Sequence, residues 1–154
     1  MKGDAKMNGH LNKVLYNQLT AINQTFLHYR MLNDWGLEQL AGSEYKASIK
    51  VMKHADALMD RILFLEGMPN LQDLGKLLIG EDVREVLECD LKLEQRMCET
   101  MRDAVEYAES SEDYGSRDLL EPMLAAHEEQ IDFLEIQLDL FDRIGQENYE
   151  QSQV

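Results

Sequence analysis

EYKASIKVMKHADALMDRILFLEG, residues Glu44 to Gly67, carries two apolar stripes when wound as a helix at about 100° per residue. One stripe runs Ala47, Val51, Ala55, Leu58, Ile62, Leu65 and is suited to face a core. The other runs Tyr45, Ile49, Met52, Met59, Leu63, interrupted only by Asp56, about a third of a turn away. Lys46, Lys50, Lys53, Asp60 and Arg61 fill the remaining arc. A surface helix of a monomeric bundle needs only the first stripe. The second calls for another subunit or a bound apolar ligand to cover it.

Working outward, the segment from about Met7 to Trp35 reads as a helix with the seam Leu11, Val14/Leu15, Gln18, Ile22, Thr25, Tyr29, Leu32. A second stripe beside it, Leu19, Asn23, Phe26, Leu27, Arg30, again suggests a further contact surface. Gly36 and the turn residues around Gly42-Ser43 separate it from the quoted helix, which Gly67, Met68 and Pro69 stop. Asn70 to Gly80 reads as a long, packed connection across the bundle. A third helix follows to about Ser110, with the seam Val83, Val86/Leu87, Asp90, Glu94, Met97/Cys98, Met101, Val105, Ala108. A fourth runs to about Ile144 through Leu120, Met123/Leu124, His127, Ile131, Leu134, Leu138 and Phe141, with Pro122 expected to kink it. Gly145 ends it and leaves room for a short last helix. The expectation is an all-α chain, 1–154, with helices at about 7–35, 44–66, 81–110, 115–144 and 146–152. Two hairpins joined by one long crossover make a four-helix bundle.

Composition excludes several functions. The 154 residues suffice for a sizeable core, and a formal charge of −15 argues against nucleic acid or an anionic membrane surface as a partner. No apolar run approaches the ~18 residues of a membrane span, and no signal peptide precedes His10. Cys89 and Cys98 fall on opposite faces of one helix and cannot pair with each other, which suits a reducing cytoplasm.

Gln18, His54, Glu94 and His127 occupy mid-seam positions, with Gln130 one turn further on and Asp90 one turn before Glu94. Buried polar groups are costly without partners, so their gathering at one level needs a reason. Two readings stand: a satisfied hydrogen-bond network, or a metal site. One glutamate and two histidines hold at most a single, weakly bound ion.

The segments HLNKVLYNQLTAINQTFLHYRMLNDWGL, MKHAD, RILFLEGMPNLQDLGKLLIGEDV, DLKLE, YGSRDLL and GQENYEQSQV resemble bacterioferritin, the haem-containing branch of the ferritin family, over essentially the whole chain. The resemblance implies a ferritin-like four-helix bundle with a long crossover and a short fifth helix at the C-terminus. It also implies a twenty-four-subunit cage and haem b across each two-fold dimer interface. The family's ferroxidase centre follows the Glu and Glu-x-x-His pattern of carboxylate bundles. Here those positions read Gln18, Val51, His54, Glu94, His127 and Gln130, so only His54 and Glu94 match. Glu128 is adjacent but points about 100° away. Thr25, Leu58 and Phe133 stand where relatives carry redox-active aromatics, and Lys46 and Lys50 stand where a cavity iron site would lie.

The haem side matches. Met52 falls at the axial-ligand position, and Leu19, Ile22, Asn23, Phe26, Tyr45, Ile49 and Leu71 fall at pocket positions. Most of these residues belong to the two second stripes. The resemblance further implies a docking surface for a bacterioferritin-associated ferredoxin at Met68, Pro69, Leu77, Glu81 and Glu85. The leading expectation is an iron-storage cage subunit that binds haem b for electron transfer in iron mobilisation. Its own ferroxidase site is lost, and it co-assembles with ferroxidase-competent ferritin-like chains. A ferroxidase with a reorganised site of His54, Glu94 and His127, with Asp90 as a further ligand, is one competitor. A purely structural cage subunit, with Met52 as packing, is the other.

Overall fold

The computed structural model describes the whole chain, Met1–Val154. It is all-helical: α1 (Ala5–Asp34), α2 (Glu38–Phe64), α3 (Val83–Ser110), α4 (Tyr114–Ile144) and α5 (Gln146–Ser152). Aspartates cap three of the starts. Asp4 accepts from the Lys6 amide, Asp82 from the Glu85 amide at 2.9 Å, and Asp113 from the Ser116 amide at 3.0 Å.

Contacts between the helices give their directions. Gln24 and Gln18 of α1 meet Asp90 and Met97 of α3, while Arg61 and His54 of α2 lie against Asp113, the cap of α4, and His127 within it. Sequence numbers run oppositely in each pair, so neighbours are antiparallel and the diagonal helices α2 and α3 are parallel. Residues 65–82 must therefore travel the length of the bundle, which makes this a one-crossover four-helix bundle. The crossover lies close on α1. A Cβ at Gly75 would fall 2.0 Å from the Thr20 hydroxyl, and one at Gly80 would fall 2.3 Å from the Val86 amide nitrogen. No other residue fits that path.

Two local expectations need correction. The turn between α1 and α2 is at Trp35–Leu37, not at Gly42-Ser43. Gly36 turns with φ +83°, the Leu37 amide bonds Leu32 O at 3.0 Å, and α2 is already formed at Glu38. Leu37, Leu40 and Ala41 are buried against Leu32, Leu134 and Tyr149, and that burial carries Gly42 and Ser43 inside the helix. At the other end of α2 the left-handed residue is Glu66, φ 61°, rather than Gly67. Gly67 is needed for space, since its Cβ would lie 2.9 Å from the Asn8 side chain. α4 continues through Pro122, which sits on the exposed face and gives up one backbone bond there.

The larger apolar cluster joins Leu11, Leu15, Leu58, Ile62, Met101 and Leu120, and a smaller one joins Ala21, Val51, Leu93 and Met97. Of the first α2 stripe, Val51, Ala55, Leu58, Ile62 and Leu65 are buried and Ala47 is half-buried. Cys89 and Cys98 are free thiols. No helix is long and apolar enough to cross a membrane.

Candidate functional site

Gln18 is the pivot of the first polar cluster. Its side-chain Nε2 donates to His127 Nε2 at 3.0 Å and lies 3.8 Å from Met97 Sδ. Its Oε1 accepts from His54 Nδ1 at 3.3 Å. The amide proton offered to His127 Nε2 leaves that nitrogen as acceptor, so the ring proton is on Nδ1 and is donated to Glu94 Oε2 at 2.6 Å. Gln18, His127 and Glu94 are buried and His54 is half-buried. Burial pushes the Glu94 carboxyl up, against the hydrogen bond from His127 that pulls it down, and the net direction is up. Burial, then His127 and Lys50, push His54 down to about 4, so it is neutral at pH 7.

Four expected site residues are thus brought together. Val51 is packed among Ala21, Leu93 and Met97, and Gln130 stands at the rim of an open depression onto Glu94 and His127. That rim also carries Lys46 and Lys50. A cation here would meet one carboxylate already taken by an imidazole N–H, and a glutamine amide aimed at the only lone pair of His127. The cluster is closed by its own hydrogen bonds, which favours the network reading over the metal reading.

Asp90 does not belong to it. It faces the other way, into a second cluster with His28, Gln24 and Glu44. His28 Nδ1 donates to Asp90 Oδ1 at 2.8 Å, and Gln24 Nε2 donates to the same oxygen at 3.0 Å. The crossover closes over both, with Leu78 N–H bound to Gln24 Oε1 at 3.0 Å and Gly80 N–H bound to His28 Nε2 at 3.1 Å. Potential ligand atoms of His28, Glu44 and Asp90 lie within 4.8 Å of one another, and all three residues are buried. These residue types suit a metal, but the ring does not. Gly80 N–H fixes Nε2 as acceptor and Nδ1 as the protonated nitrogen. A cation on Nδ1 would turn the ring proton onto the Gly80 N–H.

A proton satisfies the pair instead. Burial, then the charge of Asp90 and its hydrogen bond, drive the Glu44 carboxyl well above the ordinary value of 4.5. Its O–H is then available to Asp90 Oδ2, which has no other partner. For Asp90 burial is the largest single influence and opposes its charge. Hydrogen bonds from Glu44, His28 and Gln24 outweigh it and hold this carboxyl below its usual range. Gln24, His28 and Glu44 were not found by the sequence reading. The signal was a second α1 periodicity, Asn17, Ala21, Gln24, His28, all buried, running beside the chosen seam.

The surface beside these clusters is apolar. Met52 is 49% exposed, Tyr45 44%, Phe26 46% and Leu71 49%, and the Phe26 and Tyr45 rings both meet Tyr29. Leu19, Ile22 and Ile49 are half-buried and Asn23 is exposed at its border. On the adjoining crossover Met68 is 78% exposed, and Glu81 is exposed beyond half-buried Pro69, Leu77 and Glu85.

Residues 8–144 match the family model of the ferritin-like domain. The chain is 48% identical over 151 residues to the bacterioferritin of Brucella melitensis, covering 98% of this chain and 94% of the relative. It is 45% identical over 149 residues to that of Rhodobacter capsulatus, covering 97% and 92%. The chain belongs to the bacterioferritin family. A third bacterioferritin, from Mycobacterium bovis, is 42% identical over 149 residues, covering 97% of this chain and 94% of its own. As a bacterioferritin this chain combines a polar centre bonded within itself with a partly exposed apolar stripe, and α2 contributes to both, through His54 and through Tyr45, Ile49 and Met52.

Proposed function

We propose that the chain is an iron-storage cage subunit that binds haem b at a two-fold dimer interface and does not itself oxidise iron. The single observation that carries the haem reading is the α2 stripe of exposed Tyr45 and Met52 with half-buried Ile49 between them, together with exposed Phe26 on α1. In a chain of net charge −15 such a patch is expected to be covered, and a thioether at its middle is a soft ligand suited to haem iron. The residues present therefore fit the group. Met52 would ligate the iron from each of two subunits, and Leu19, Ile22, Ile49 and Leu71 would enclose the ring, with Asn23 at the edge. When bound, haem supplies a one-electron carrier between the outside and the stored iron. This chain's residues exclude water from the carrier and hold two subunits together around it.

Met52→Leu keeps shape and apolarity and removes the sulfur. The cage is expected to assemble while haem absorbance disappears from the visible spectrum, and stoichiometric haem in that variant would refute the ligand assignment. A purely structural subunit predicts no haem in the unmodified protein either.

The oxidation half of the reading rests on the cluster around Gln18. A di-iron centre needs bridging carboxylates to hold two cations, whereas Gln18, Val51 and Gln130 are uncharged and Glu94 is held by His127. Iron oxidation in a cage containing this chain then falls to a ferroxidase-competent ferritin-like partner. Reductive release draws electrons from a bacterioferritin-associated ferredoxin docking over exposed Met68 and Glu81. Met68→Ala with Glu81→Ala is expected to weaken ferredoxin binding about tenfold or more, and an unchanged dissociation constant would remove this surface from the account.

A further inference from the structure

Between α1, α3 and the start of the crossover lies an open polar pocket of about 280 Å³, whose only hydrophobic side chain is Tyr16. None of its residues belongs to the apolar stripe of α2, to the docking surface or to either buried cluster. One wall is fixed by the fold. Asn12 Nδ2 donates to Met68 O at 3.2 Å, and its Oδ1 accepts from the Asn70 N–H at 2.8 Å. Asn70 Oδ1 accepts from the Gln72 and Asp73 amides at 3.0 and 3.3 Å, and its Nδ2 donates to Asp73 Oδ2 at 2.8 Å. These bonds commit both asparagines and leave Asp73 Oδ1 free.

Asn17 lines the same pocket and is only 5% exposed, yet its amide makes no hydrogen bond within the chain. A buried amide is costly to leave without a partner, and the pocket is where a partner can reach it. Around it stand exposed Lys13, which makes no ion pair, and the hydroxyls of Tyr16 and half-buried Thr100, which make no hydrogen bond. The free groups are therefore one cation, one anion and three groups that each donate and accept. The two charges cancel, which disfavours an ion of either sign. A small zwitterion would engage Lys13 and Asp73 but has too few hydroxyls for the other three. The partly exposed Tyr16 ring adds an apolar face. A compact ring with several hydroxyls and one apolar face meets all of these groups.

We propose that this pocket binds a neutral monosaccharide in its pyranose form, with the sugar ring against Tyr16 and its hydroxyls shared among Asn17, Thr100, Lys13 and Asp73. The site goes beyond iron storage and depends on neither the haem nor the ferredoxin reading.

The test titrates D-glucose, D-galactose and D-mannose separately into the assembled full chain, followed by NMR saturation transfer from protein to sugar protons. Saturable transfer is expected for at least one of the three. Tyr16→Leu and Thr100→Val are each expected to weaken it about fivefold to tenfold. Asn17→Leu removes the amide and fills its place, and is expected to abolish binding. Should that buried change prevent assembly, the other two variants decide. Lys92→Gln, an exposed lysine on α3, is expected to change nothing. The proposal is overturned if no sugar gives saturable transfer, if Tyr16→Leu and Thr100→Val both bind like the unmodified chain, or if Lys92→Gln weakens binding as much as they do. Glycine that displaces the bound sugar at equal concentration would replace the sugar by a zwitterion and equally overturn it.

Discussion

The two buried polar clusters lie side by side in one bundle and solve the same problem differently. Around Gln18 there is one carboxylate, and neutral imidazoles and an amide satisfy one another in sequence from His54 to Glu94. Around Asp90 there are two carboxylates, and burial beside the Asp90 charge drives the Glu44 carboxyl up, while hydrogen bonds outweigh burial and hold the Asp90 carboxyl down. The first is half-open to a lysine-edged depression, and the second is sealed by backbone N–H groups of the crossover. In both clusters ligand-type residues are hydrogen-bonded to one another, so residue type by itself does not identify a metal centre.

The comparison breaks most sharply if carboxylates are returned to the first cluster. Gln18→Glu, Val51→Glu, His127→Glu and Gln130→His together, beside the native His54 and Glu94, are expected to raise Fe²⁺ oxidation by about 100-fold or more. Each single change is expected to move it less than about threefold, because ligands of one centre act as a unit. α4 is continuous past Pro122 and carries both positions, 127 and 130. A fast single variant, or a slow quadruple variant that still folds, would contradict the account.

A smaller effect follows in the second cluster. Asp90→Asn brings an amide N–H against donors from Gln24, His28 and Glu44. It is expected to cost about 3 kcal/mol of stability, measured by denaturant unfolding. Gln18→Met in the first cluster, where no charge is stranded, is expected to cost less than half of that.

The smallest effect is a pH dependence. Glu44 has a folded pKa above its unfolded value of 4.5. Its contribution is therefore fully present below that pH and is lost as pH rises through the folded value. Glu44→Gln keeps a donor toward Asp90 at every pH. The variant is expected to flatten the decline in stability as pH rises above 4.5. Parallel curves for the variant and the unmodified chain would mean that Glu44 does not hold the proton.

Much of this was legible in the sequence, and the failures have physical causes. The bundle followed from seams such as Ala55, Leu58, Ile62, Leu65, where periodicity and burial agree. Gln18, His54, Glu94 and His127 were found because each interrupts an apolar seam. Gln24 and His28 were missed because α1 is buried along two faces, against α2 and against α3 with the crossover, and a single-seam reading discards one of them. Glu44 was missed because the helix was begun at the residue itself, which hides it among turn residues. Asp90 was assigned to the wrong cluster because one turn of spacing from Glu94 places it at a neighbouring level without saying which way it points. Donor and acceptor roles, which separate a network from a metal site, are not written in residue types at all.

Oxygen uptake on adding Fe²⁺ to a verified homopolymer of the unmodified chain tests the central claim most directly. The account predicts a rate equal to that of Fe²⁺ in buffer with a non-binding protein and no saturation with iron. Fast, saturable oxygen consumption that is abolished by His54→Ala or Glu94→Ala would show that the cluster around Gln18 opens to admit metal, and would contradict it.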